Sequence, residues 1–283
     1  MSGAWRIVAC DLDGTLIGRD HKVNERDLES LRKARAAGIH VAICTGRNAA
    51  ESAGVIGALD LKGLGVFANG AMVAEMGTGM AVDSRFISWE LAEEVVDFLG
   101  SRGHGVLALL DDAETRLPRY FMTTHGPVHR GTTEWLAINR TSAETVDVIE
   151  PPYRDRIVRL SVVVDVAEGK EIEESLGAAF GGRVDSHSIY SPYYDCQVIE
   201  VFSFGTDKWT GIERLAAAMG VQSDVVIAIG DDVNDEAMLR GAKLSFAMGN
   251  AAKEIQAMAK RVTGSQRECG VAQVIDALLA GEL

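Results

Sequence analysis

Short apolar runs alternate with stretches of helical period at both ends of the chain. Residues 7–10 form a continuous apolar run, and residues 24–37 carry Leu28, Leu31 and Ala34 at helical spacing. Asn24 stands where an N-cap belongs and Gly38 just past the predicted end. Residues 39–44 read as a second buried strand. Strand, helix and strand joined by short loops make a βαβ unit, which predicts a parallel sheet covered by helices. Residues 64–75 read as a strand pair broken at Asn69-Gly70, a turn signal. The C-terminal part repeats the pattern, with strands at 225–229 and 244–247 and helices at 234–240, 251–258 and 271–279.

The middle of the chain mixes its periods. A helix is predicted at 89–101 through Leu91, Val95, Phe98 and Leu99, strands near 105–110 and 157–165, a helix at 169–179, and strands after Gly182. A polar, irregular stretch occupies 123–134. The pattern therefore predicts an α/β fold: a doubly wound parallel-sheet core from 1–83 and 196–283, with an inserted α+β domain at 84–195 and crossings near 83–88 and 195–206.

Composition narrows the setting. The chain has 283 residues, 47% hydrophobic and 24% charged, as in an ordinary globular protein. Its formal charge of −13 argues against a broad nucleic-acid or anionic-membrane surface, because both need clustered positive charge. The four cysteines, Cys10, Cys44, Cys196 and Cys269, lie far apart with no metal-binding spacing, and read as thiols in a reducing compartment. The first apolar run stops at Asp11, too short for a secretory segment, and no later segment is long enough to span a membrane. A cytoplasmic protein is expected. An acidic protein that handles an anion needs local positive charge, which a metal ion supplies.

Four polar clusters sit where such chemistry would lie. Asp11-Leu12-Asp13 follows the first strand; an Asp-x-Asp pair is expected about once by chance in this composition, so its position carries the information. Open parallel sheets bind ligands outside the carboxyl ends of their strands. Thr45-Gly46-Arg47 follows the second strand and can offer a hydroxyl, amides and a guanidinium to an anion, although Thr45 could simply cap a helix. Asp231 and Asp235, in Gly230-Asp231-Asp232-Val233-Asn234-Asp235, offer hard oxygen ligands suited to Mg²⁺, against the plainer reading of helix capping. Lys208 stands where the chain returns from the insertion and can place a compact charge beside carboxylates.

Together, DLDGTL, TGR, the lysine and GDDVND resemble the haloacid dehalogenase superfamily of phosphatases. Phe67-Ala68-Asn69-Gly70-Ala71, Ala247-Met248-Gly249-Asn250-Ala251 and the central insertion resemble its Cof-type branch, whose cap is of class IIB. The resemblance covers residues 5–83 and 196–275 and implies a Rossmann-like core with an α+β cap that closes over the site. It implies Asp11 as the nucleophile that forms an aspartyl-phosphate, and Asp13 as general acid and base, kept protonated by a neighbouring charge and partial burial. It implies Mg²⁺ on the Asp11 carboxylate, the Asp13 carbonyl and Asp231, with Asp235 close by or acting through water. Thr45 and Lys208 would bind the phosphoryl group; Gly46, Arg47, Asn69 and Asn234 are further substrate-binding candidates. The expected function is a Mg²⁺-dependent phosphatase of a small phosphorylated metabolite. A phosphomutase or phosphotransferase, or a non-catalytic sugar-phosphate sensor, are the alternatives. The many arginines of the insertion, Arg116, Arg156 and Arg159 among them, read as solvated surface pairs.

Overall fold

The computed structural model describes residues 5–18, 22–112, 114–151 and 153–283. The chain forms two compact units, one from residues up to Thr78 and from Asp207 onward, the other from Gly79–Thr206. The expected insertion, 84–195, is narrower than the second unit. It ends before a strand, Cys196–Ser203, that pairs inside that unit rather than with the core.

The first part of the core unit runs β1 (Ile7–Cys10), α1 (Glu25–Ala36), β2 (His40–Ile43), α2 (Ala49–Leu59), β3 (Leu64–Phe67) and β4 (Met72–Glu75). Helix α1 starts after Asn24 as expected, but that side chain makes no cap bond to its own helix. It donates instead to Asp27 and to the Gln266 carbonyl. Helix α2 escapes the sequence pattern because small residues and two glycines blur its period; Asn48 caps it in a reciprocal capping box with Glu51.

The inserted unit holds β5 (Ala81–Ser84), α3 (Trp89–Gly100), β6 (Leu107–Asp111), β7 (Pro118–Thr123), α4 (Arg130–Ile138), β8 (Glu144–Val146), β9 (Ile157–Val164), α5 (Val166–Phe180), β10 (Val184–Ser191) and β11 (Cys196–Ser203). Six strands form one sheet in the order β10-β11-β9-β6-β7-β8. Residues 123–134 are not irregular throughout, since α4 begins at Arg130. Nor are the insertion's arginines all solvated. Arg159 and Glu200 form a buried ion pair at 2.6 Å, and the fully buried Asp111 pairs with Arg116 at 2.9 Å and Arg156 at 3.0 Å.

The chain then completes the core with α6 (Lys208–Ala218), β12 (Val226–Gly230), α7 (Glu236–Gly241), β13 (Leu244–Ala247), α8 (Lys253–Met258), β14 (Arg261–Val262) and α9 (Gly270–Ala280). The core sheet has the order β14-β13-β12-β1-β2, parallel throughout. A parallel bridge from Cys44 to Val66 sets β3 beside β2, and β4 folds back antiparallel. Ile7, Ala9, Ala42, Val226 and Ala228 pack with Ile212 and Leu215 of α6 and Met238 of α7. The alternate residues, Val8, Val41, Ile43, Ile227 and Ile229, point the other way and are equally buried, so the sheet is covered on both faces. No helix among the described residues is long and apolar enough to cross a membrane. The cysteines are free, three of them buried.

Strand β1 is the centre of this arrangement. Its chain neighbour β2 lies on one side and the late strand β12 on the other, so the connections diverge from β1 in opposite directions. Such a point opens a crevice at the carboxyl ends of the strands.

Candidate active site

Asp11 follows β1, Thr45 lies just past β2, and Asp231 follows β12, so the parallel sheet delivers all three to one edge. Lys208 arrives differently from expectation. It is the first residue of α6, capped by Asp207 in a reciprocal box with Thr210, and not part of a returning loop. Its side chain has no solvent exposure, and its ammonium lies 2.7 Å from Asp11 Oδ1 and 2.6 Å from Asp235 Oδ1. Burial opposes its charge, but the two carboxylates outweigh burial and hold it well above the ordinary lysine value.

Both oxygens of Asp235 are engaged. Oδ1 accepts from Lys208, while Oδ2 accepts from the backbone amides of Asp231 at 2.7 Å and Asp232 at 3.1 Å. Capping therefore accounts for Asp232 and part of Asp235, in a single turn of 3₁₀ helix at Val233–Asp235. It leaves Asp231 unexplained. That carboxylate accepts from the Thr15 hydroxyl at 2.7 Å and the Asn250 amide at 3.1 Å, and burial pushes it up to about 7, with Asp235 adding to the shift. Burial and the Asp235 charge likewise raise Asp11 well above the usual carboxylate range, against the pull of Lys208.

Asp11, Asp231 and Asp235 bring carboxylate oxygens within 4.8 Å of one another. Three carboxylates share one ammonium in a largely buried space, so a hard divalent cation fits the donors and offsets their excess charge. Gly14 is required here. Its φ is +90°, and a Cβ on it would lie 2.1 Å from Asp231 Oδ2.

Asp13 departs from expectation. Its side chain is half exposed and forms a two-pronged pair with Arg47, whose Nε donates at 2.8 Å to Oδ2 and whose Nη2 donates to Oδ1. Asp13 is thus exposed where partial burial was expected, and Arg47 holds a carboxylate of its own chain. Thr45 is buried and does not cap α2; its hydroxyl accepts from the Arg47 amide at 3.2 Å. Gly46 passes close to Asn69, whose Oδ1 would lie 3.2 Å from a Cβ there. Asn234, which is partly exposed, donates to Asn69 Oδ1 at 3.2 Å. Sequence reasoning missed Thr15 and Asn250 as partners of Asp231. Asn250 lies just past β13, a fourth strand end, which is the signal that could have found it.

A family profile described as haloacid dehalogenase-like hydrolase matches residues 8–275. The chain belongs to that family. This hydrolase is an enzyme of the Cof-type branch. It is 26% identical over 294 residues to the 5-amino-6-(5-phospho-D-ribitylamino)uracil phosphatase YwtE of Bacillus subtilis strain 168, covering 98% of this chain and 99% of the relative. It is 25% identical over 280 residues to the chloroplastic endoribonuclease YBEY of Arabidopsis thaliana, which covers 95% of this chain. The hydrolase spans only 45% of that protein's length, so the ribonuclease name describes a longer molecule. Its fold is similar to that of the subclass IIB sugar phosphatase BT4131, with a TM-score of 0.75 at 20% identity over 96% of this chain and 98% of the other.

Proposed function

We propose that this hydrolase is a Mg²⁺-dependent phosphatase of small phosphorylated metabolites. The observation that carries the reading is the buried Asp11–Lys208–Asp235 chain of ion pairs beside Asp231, at the point where the sheet connections diverge. The end of a buried sheet has no structural use for three carboxylates and a single ammonium, because burying a charge costs roughly several kcal/mol and one ammonium cannot neutralise three acids. A phosphorylated substrate of modest size also agrees with the relative named for a phosphorylated ribitylaminouracil.

In this reading an Asp11 carboxylate oxygen attacks phosphorus. A bond forms from Asp11 to phosphorus as the bond to the leaving alcohol breaks, giving an aspartyl-phosphate. Asp13 hands a proton to the leaving oxygen and later takes one from the water that hydrolyses the intermediate. With Arg47 paired to it, Asp13 is held by a salt link that the incoming phosphate competes for, so the guanidinium, still protonated, is released toward the anion and Asp13 takes from solvent the proton it hands on. Lys208 keeps Asp11 aimed and Thr45 donates to a phosphoryl oxygen. The Asp11 carboxylate, the Asp13 carbonyl and Asp231 would hold Mg²⁺, which when bound supplies positive charge against the phosphate oxygens. Asp235, with both oxygens already engaged, serves by orienting Lys208.

The test is phosphate release from a panel of phosphorylated metabolites and an aryl phosphate, with and without Mg²⁺. Release that requires Mg²⁺, and its loss in Asp11→Asn at unchanged circular dichroism, is the expected result. Asp13→Asn is expected to slow turnover by roughly 100-fold or more, as for a lost general acid. A phosphotransferase would release little phosphate without an acceptor, and a sensor none.

A further inference from the structure

Ala68, Asn69 and Gly70 are the only three consecutive described residues with positive φ, at +48°, +51° and +98°. An L side chain in this left-handed region presses its Cβ against a carbonyl, a cost that asparagine tolerates better than alanine. Such strain persists where the surroundings over-determine it. Here they do. The Ala68 amide donates to the Arg47 carbonyl at 2.9 Å, and the Asn69 amide to the Thr45 carbonyl at 3.1 Å. Asn69 Oδ1 accepts from Asn234, the Gly70 carbonyl accepts from Arg214, and Asn69 is buried.

The consequence lies in the loop at 45–47. A loop that holds a phosphoryl group must present donors and turn its carbonyl oxygens away, because those oxygens repel an anion. Both flanking carbonyls of this loop, at 45 and 47, are taken by the amides of 69 and 68. The Thr45 hydroxyl already accepts from the Arg47 amide, so its proton is left to donate elsewhere.

We infer that Asn69 is a positioning residue for the phosphoryl-binding loop and makes no contact with the substrate. With Ala68 it holds residues 45–47 by their carbonyls, and through Asn234 it ties that loop to the one that follows β12. The inference rests on the phosphatase reading, in which Thr45 meets the phosphoryl group.

Rates with Mg²⁺ on an aryl phosphate and on a sugar phosphate test it, for the wild type, Asn69→Val, Asn69→Gly, Thr45→Val and the Thr45→Val/Asn69→Val double variant. Valine is strongly disfavoured at positive φ, whereas glycine adopts it freely and keeps the amide. Asn69→Val is expected to lower kcat by about 30-fold or more, by the same factor on both substrates, with KM within about threefold. Asn69→Gly is expected to recover most of that loss, and the double variant to be no worse than Thr45→Val alone. A loss carried by KM and differing between substrates would mean direct contact and overturn the inference, as would full additivity in the double variant. Should Asn69→Val not fold, Asn69→Ala takes its place in every arm. Crystal structures of wild type and variant keep the two readings apart. If the wild type releases no phosphate from either substrate, the phosphatase reading fails; a 45–47 loop that stays in place in the variant overturns the inference by itself.

Discussion

Lys208 owes its charge to its neighbours. A lysine without solvent exposure loses its proton readily unless carboxylates hold it, and here Asp11 and Asp235 both lie within 2.7 Å. Lys208→Met would leave two carboxylates facing each other in a buried space. Loss of one partner of a buried pair typically costs about 3–5 kcal/mol. We expect Lys208→Met to lower the denaturation midpoint markedly and to abolish turnover. Addition of Mg²⁺ should recover part of the stability and none of the turnover, as measured by urea titration beside rate assays. A stability equal to wild type without metal would mean that Asp11 and Asp235 do not depend on the lysine. The sequence showed Lys208 only as a residue near a crossing, because a lone lysine carries no pattern. Its burial comes from α6, whose start at Lys208 was hidden by a capping box that reads like loop chemistry. Asp13 is the reverse case, since its role was inferred together with a burial that its pairing with Arg47 does not provide.

At the scale of elements, what was legible followed from period and length. The strand at 244–247 and the helix at 89–101 stand within a residue of their predicted bounds, because apolar runs and a continuous helical stripe have no other economical use. Three of the missed elements lack those signals: α4 is short and partly polar, β8 has three residues, and α2 is built from small side chains. The strand ends, and hence Asp11, Thr45 and Asp231, were legible for the same reason as the strands. The partners that orient them were not, because Thr15, Asn69 and Asn250 reach across between elements distant in sequence. Gly70 shows how tightly two elements meet. A Cβ there would lie 1.9 Å from the Asp207 carbonyl oxygen at the start of α6, and its φ is +98°. Gly70→Ala is therefore expected to destabilise the fold by about 2–4 kcal/mol, a clash added to backbone strain. Calorimetric melting checks this, and a change within about 0.5 kcal/mol would show that α6 can retreat at little cost.

For the whole molecule, pH and metal act on the same carboxylate. Asp231 sits at about 7 in the fold because of burial, against an ordinary value of 3.8. Between those values the folded chain binds more protons than the unfolded one, so this group's contribution falls as pH rises and levels off above about 7. A bound cation favours the ionised form and reverses the penalty. Two results are expected from melting curves between pH 5 and 8. Without metal, wild type should lose stability relative to Asp231→Asn as pH rises, and the gain in melting temperature from Mg²⁺ should be larger at pH 8 than at pH 5. Parallel curves for the two proteins would contradict the raised value.

The central position of β1 has a consequence for biosynthesis. One of its two sheet partners, β2, ends at Ile43, but the other, β12, ends at Gly230. Every strand of the six-stranded sheet lies between them in the chain. As the polypeptide leaves the ribosome, the inserted unit has all its strands before the core sheet can close. Until then β1, the apolar strand that leads into Asp11, stands with one edge open, so the surroundings of Asp11 are among the last parts of the protein to exist.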